Sequence, residues 1–183
     1  AENGARLDAK NRRGLTPIEL AAGAGGAGVS ANSRPETEKM LRAIMLARAN
    51  ALARGYSGIR EEVVDLLLAA LNKGVLPEIP TEGSVGASGD LVPLAHMAML
   101  LVGQGQARRG GHRLPATEAL ANAGLRPVTL QCKEALALVN GTSVMTGVAA
   151  LATHEAATLL SWAELLSACL FQAMYASPEV LCV

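Results

Sequence analysis

From Ser33 onward, apolar residues return at helical spacing and the runs are closed by glycine, and this punctuation limits the fold more than any other feature. Ser33-Arg-Pro-Glu36 has the form of a capping box with proline in the first turn. Met40, Leu41, Ile44, Met45, Ala47 and Leu52 then make a broad apolar stripe. The pattern predicts a helix over 33–54 with Gly55 as its stop. A second is predicted over 60–72, with Val63, Leu66, Leu67, Ala70 and Leu71 on its apolar face and Gly74 beyond its end. Pro77 and Pro80 hold the residues before them extended. A third helix is expected over 90–103, where Pro93 fits the first turn. Residues 104–115, with Gly110-Gly111, read as a polar loop. Short helices over 116–123 and 130–138 precede a long one over 142–176. No strand-length run alternates clearly. The fold class expected is all-α, a bundle of sequential helices. Residues 1–32 are expected to form a flexible segment with a short helix near 16–22, and residues 33–183 the helical core.

Composition agrees. Half of the 183 residues are apolar, yet only four are aromatic, so the core must be built from Leu, Ala, Val, Met and Ile. Sixteen basic residues balance sixteen acidic ones, which leaves no net field to draw the chain to nucleic acid or to an anionic membrane. Cys132, Cys169 and Cys182 are odd in number and widely spaced, so neither a disulfide framework nor a zinc pattern follows, and reduced thiols in the cytoplasm are the plain reading. His96, His112 and His154 show no metal-ligand spacing. No basic-then-apolar leader opens the chain. The longest apolar stretch, 158–176, is just long enough for a bilayer but carries Glu164 and Gln172, and reads as an interior bundle helix.

The chemistry is concentrated in residues 83–96, Gly-Ser-Val-Gly-Ala-Ser-Gly-Asp-Leu-Val-Pro-Leu-Ala-His. Ala87-Ser88-Gly89, flanked by Gly83 and Gly86, can fold back on itself. Attack of the Gly89 amide nitrogen on the Ala87 carbonyl, with loss of water, closes a five-membered ring. Loss of a second water from Ser88 leaves an exocyclic methylene. The product is a methylidene-imidazolone, an electrophile made from the chain's own atoms. The helix expected to start near Asp90 turns its positive end toward that ring and favours negative charge there. Asp90 is the natural N-cap of this helix.

This segment, together with Arg48-Ala-Asn-Ala-Leu-Ala-Arg-Gly-Tyr-Ser-Gly-Ile59 and Asn140-Gly-Thr142, resembles the aromatic amino acid ammonia-lyases and aminomutases, the histidine/phenylalanine/tyrosine family. The likeness covers roughly residues 20–176. It implies a self-formed 4-methylidene-imidazole-5-one (MIO) from Ala87, Ser88 and Gly89, support of cyclisation from around Asp90, and no metal. It implies that Asn140 reaches the ring and the bound amino acid; a helix N-cap at Asn140 or Thr142 is the structural alternative. Tyr56 matches a turn in the family pattern and is not expected to be a base. His96 is expected to be a bonded core histidine. Two positions facing the substrate side chain fall on Glu19 and Leu20, and the leucine favours tyrosine or phenylalanine over histidine as the aromatic substrate. The complete enzyme would be a homotetramer that eliminates ammonia. The family's upstream tyrosine loop and its downstream glutamine and tyrosine–arginine blocks have no counterpart in this sequence, so it reads as a central fragment. The alternatives are a 2,3-aminomutase and a non-catalytic truncated helical protein. The final helix of such a fragment is expected to expose Leu159, Leu160, Leu165, Leu166, Leu170 and Met174. Residues 4–22 also look like the start of an ankyrin repeat, without a second copy at the ~33-residue period.

Overall fold

The computed structural model describes residues 35–80, 84, 89–177 and 179. Among these residues lie six helices: α1 (Pro35–Ala53), α2 (Glu61–Asn72), α3 (Leu91–Leu101), α4 (Ala116–Asn122), α5 (Glu134–Val139) and α6 (Ser143–Ala173). Three short strands accompany them: β1 (Leu76–Pro77), β2 (Gln106–Arg109) and β3 (His112–Pro115). The expected helices at 16–22 and the N-terminal segment fall outside the described residues. Packing divides the chain into two units, the first ending at Val148 and the second beginning at Ala149.

In the first unit the core is aliphatic, as the composition requires. Met45, Leu67, Leu94, Met97, Leu100, Leu101, Leu120 and Leu138 have no measurable exposure. α1 brings Leu41, Ile44, Met45 and Leu52 to this core, and α2 brings Val63, Leu67, Ala70 and Leu71. The Gly55 amide bonds the Leu52 carbonyl, which closes α1 at the predicted stop. Helix ends are finished by basic side chains that reach the last carbonyls, where the helix dipole is negative. Arg42 donates to Leu71 at the end of α2, and Lys73 donates to Ala123 just past α4 at 2.7 Å.

The expected polar loop at 104–115 is instead a β-hairpin. Ala107 pairs with Leu114 and Arg109 with His112, so Gly110-Gly111 is a two-residue turn, and His112 sits in a strand. Both glycines have positive φ (57° and 83°), the requirement of the turn that matches strand twist. β1 adds antiparallel to β2 at an edge, where the missing Pro77 amide costs no ladder bond. The Glu78–Arg108 ion pair clamps the strands, and hydrogen bonding from Arg108 holds the Glu78 carboxyl below the ordinary carboxylate range. α5 begins four residues later than predicted, because Lys133 takes a left-handed conformation (φ 72°) just before it.

In the second unit, residues 149–173 belong to α6, which ends at Ala173 rather than at 176. Its apolar side chains face outward, with Leu159 71 %, Trp162 58 % and Leu166 64 % exposed. The expected outward leucines are thus observed. A helix apolar on all sides has the composition of an interior element. By length and composition alone, the stretch from Glu134 to Ala173 is the one among the described residues that could cross a membrane.

Candidate functional site

Three sequence blocks meet at the start of α6. Asp90 stands at the N-cap position of α3, with its carbonyl accepting from the Leu94 amide at 3.0 Å. Its side chain, however, does not cap α3. Its Oδ2 accepts from the backbone amides of Val144 and Met145 at 2.9 and 3.1 Å. The expected local cap is therefore a distant one. The first amides of α6 have no partners within their own helix, and a carboxylate 54 residues upstream satisfies them and complements the positive end of the dipole. Asp90 is 1 % exposed, and its Oδ1 has no partner among the described residues.

Neither Asn140 nor Thr142 acts as the predicted side-chain cap. Asn140 closes α5, donating its amide hydrogen to the Leu136 carbonyl. Thr142 offers only its carbonyl to the first turn of α6, accepting from the Thr146 amide at 2.9 Å. The residue is exposed at Asn140, while its backbone carbonyl turns inward and accepts from Arg48 Nη2 at 2.9 Å. The same nitrogen donates to the Ala137 carbonyl. Arg48 lies on α1 and is 4 % exposed; burial pushes its pKa down. Two residues further along α6, the chain passes close to α1 again. A Cβ at Gly147 would stand 2.8 Å from the Ile44 backbone nitrogen, so only glycine permits this crossing.

Of the other site residues, Gly89 is described and Ala87, Ser88, Glu19 and Leu20 lie outside the described residues. Gly89 has φ 71°, and the Ser84 hydroxyl donates to its carbonyl. The left-handed region is one that glycine enters without steric cost, and here it lies directly ahead of the N-terminus of α3. Tyr56 is 86 % exposed in the turn after α1, in keeping with a turn residue. His96 is half-buried on α3, and His154 is exposed on α6. No cluster of metal-ligating side chains occurs among the described residues.

Sequence reasoning missed Glu134. It is 2 % exposed and takes four donors: Arg60 Nε at 2.7 Å, Arg60 Nη2 at 2.9 Å, the Arg60 amide at 3.1 Å and the Gln131 amide at 2.6 Å. Hydrogen bonding from Arg60 leads in pulling its pKa down to about 2. This clasp ties the turn before α2 to the start of α5. The one trace in the sequence is an acidic residue three positions after Gln131, the spacing of a carboxylate reaching back to a helix start.

A family model described as aromatic amino acid lyase matches residues 8–182, which takes in most of the ankyrin-like stretch. Histidine ammonia-lyase of Geobacillus kaustophilus is 52 % identical over 141 residues, which is 77 % of this chain and 28 % of that protein. Among solved structures, histidine ammonia-lyase from Trypanosoma cruzi superposes with a TM-score of 0.73 and 32 % identity, over 91 % of this chain and 32 % of that one. Tyrosine aminomutase from Streptomyces globisporus superposes with a TM-score of 0.68 and 38 % identity, over 86 % of this chain and 28 % of that one. The chain spans under a third of the length of the curated relatives it matches.

Proposed function

Because this chain belongs to the aromatic amino acid lyase family, we propose that the protein containing it eliminates ammonia from an aromatic L-α-amino acid, using an electrophilic ring made from Ala87, Ser88 and Gly89. Histidine is the substrate we favour. The preference for tyrosine or phenylalanine, which rested on Leu20, has no support among the relatives: proteins about half identical to this chain are named histidine ammonia-lyases.

One observation carries this reading. The Asp90 carboxylate bonds the amides of Val144 and Met145, four and five residues beyond Asn140. Ser88 precedes Asp90 by two residues in the chain. The ring-forming block and the Asn140 block are therefore joined through one buried side chain. The described residues are compatible with the ring: Gly89 is the permissive residue of the segment, Asp90 and α3 follow it directly, and Asp90 keeps one buried oxygen without a partner among the described residues.

Once formed from Ala87, Ser88 and Gly89, the ring would supply an electrophilic methylene carbon for the substrate. The chain's own residues prepare for this. The N-terminal amides of α3 favour negative charge on the ring carbonyl. The Asn140 side-chain amide both donates to an oxyanion and accepts from an ammonium group. The Asp90 Oδ1 atom can accept the proton released from the Gly89 amide during cyclisation.

The test is made on the complete reading frame that contains this chain. An intact mass two waters below that of the encoded sequence reports the ring. Incubation with histidine, tyrosine and phenylalanine, followed at the ultraviolet band of each acrylate, reports elimination. Product from histidine in preference to the other two is expected. A ring-bearing protein that releases no acrylate from any of the three would remove the lyase reading. The tyrosine aminomutase likeness at 38 % identity favours a second reading, in which ammonia returns to the β-carbon. A β-amino acid product without free ammonia would establish it.

A further inference from the structure

The chain places a buried guanidinium under the Asn140 turn, and nothing in the reaction just described uses it. We propose that Arg48 is a positioning residue that fixes the exposed Asn140 amide from beneath, an inference that rests on the role assigned to Asn140 above.

Arg48 sits where the packing of α1 would accept an aliphatic residue: its neighbours Leu41, Ile44, Met45 and Leu52 all belong to the core. A guanidinium there is costly, since burial penalises the charge and its Nε has no partner among the described residues. Its donors are directed at one place, the carbonyls of Ala137 and Asn140. These are the last turn of α5 and the residue that ends it, so the cation meets the negative end of the helix dipole. The consequence is directional. The Asn140 carbonyl is turned inward and held, and the side chain is left exposed on a fixed backbone.

Gly141 supplies an independent observation. It is not among the glycines with positive φ, so its backbone conformation does not call for glycine. What calls for it is Arg48: a Cβ at 141 would overlap Nη1 and stand 3.1 Å from Cζ. The guanidinium thus stands hard against the turn at Gly141 while Nη2 holds the Asn140 carbonyl, which leaves the Asn140 backbone little freedom to shift. Lysine cannot reproduce this, because Nη2 serves both carbonyls while Nη1 stands against Gly141, and one ammonium group cannot occupy both positions.

The experiment is a double-mutant cycle in the ring-bearing, complete protein. Arg48→Lys is expected to keep the ring mass and a thermal transition close to that of the parent, and to lower kcat by about 10²-fold, the effect of a small misplacement. In an Asn140→Ala background the same substitution should lower kcat no further. Gly141→Ala, which displaces the guanidinium while leaving arginine in place, should show the same dependence on Asn140 and serves if Arg48→Lys does not fold. Full kcat in Arg48→Lys, or an equal loss with and without Asn140, would overturn the proposal. Retained activity in Asn140→Ala alone would instead overturn the role given to Asn140, so the two failures are distinct.

Discussion

Two carboxylates among the described residues lie almost wholly out of water, and their surroundings differ. Glu134 receives four hydrogen bonds, three from Arg60 and one from the Gln131 amide. Asp90 receives two, both on Oδ2, and its Oδ1 receives none from the described residues. A carboxylate saturated by fixed donors is a fastener, because its charge and its geometry are fully used in holding two segments together. Asp90 spends one oxygen on two helix amides and leaves the other with no partner among the described residues, so its charge is not fully used in fastening. Neither residue's exposure reveals this difference; the count of donors does.

The sharpest way to break the comparison is to remove each side chain. Glu134→Ala leaves Arg60 with no buried partner and frees two amides, and it should give the largest fall in Tm of this series by circular dichroism. Ring formation per folded molecule, read by intact mass, should be unchanged. Asp90→Ala leaves the first amides of α6 unpaired and should cost about 1–3 kcal/mol, a smaller fall in Tm. Here the ring mass should be lost. A stable, ring-bearing Asp90→Ala protein would show that both carboxylates are fasteners.

Acid gives the mildest probe. The Glu134 carboxyl has a folded-state pKa of about 2 against an ordinary 4.5, so the folded state keeps it ionised after the unfolded chain has begun to bind a proton. Its contribution is complete above pH 4.5 and is lost as pH falls from there toward about 2. The Tm of the parent should drop more steeply than that of Glu134→Gln over this window. Parallel curves would show that the clasp does not set acid stability.

The helices were legible in the sequence because their signals are local. The α1 stripe and Gly55, and the α2 face with Gly74, need only a few turns of chain to be read. The hairpin was not, because β2 reads Gln-Ala-Arg-Arg and only Ala107 is buried in it. Its single trace was the Gly110-Gly111 pair. The site was legible as blocks but not as an assembly. Ala87-Ser88-Gly89 is a candidate by its ring-closing chemistry and Asn140 by the family resemblance, whereas the bonds that unite the blocks span 54 residues for Asp90 and 92 for Arg48. A side chain that serves a distant backbone leaves no periodicity to detect, so the sequence around Arg48 carries no sign of the carbonyls it serves.

The capping of α6 by Asp90 makes that helix unequal at its two ends. Amides at the Asp90 end can open only when the carboxylate lets go, while the end near Ala173 has no comparable anchor from a side chain elsewhere in the described chain. Fraying is then one-sided: unwinding proceeds from the far end toward Val144, and hydrogen–deuterium exchange should slow progressively along the helix in that direction, leaving the turn beside Asn140 as the last to melt.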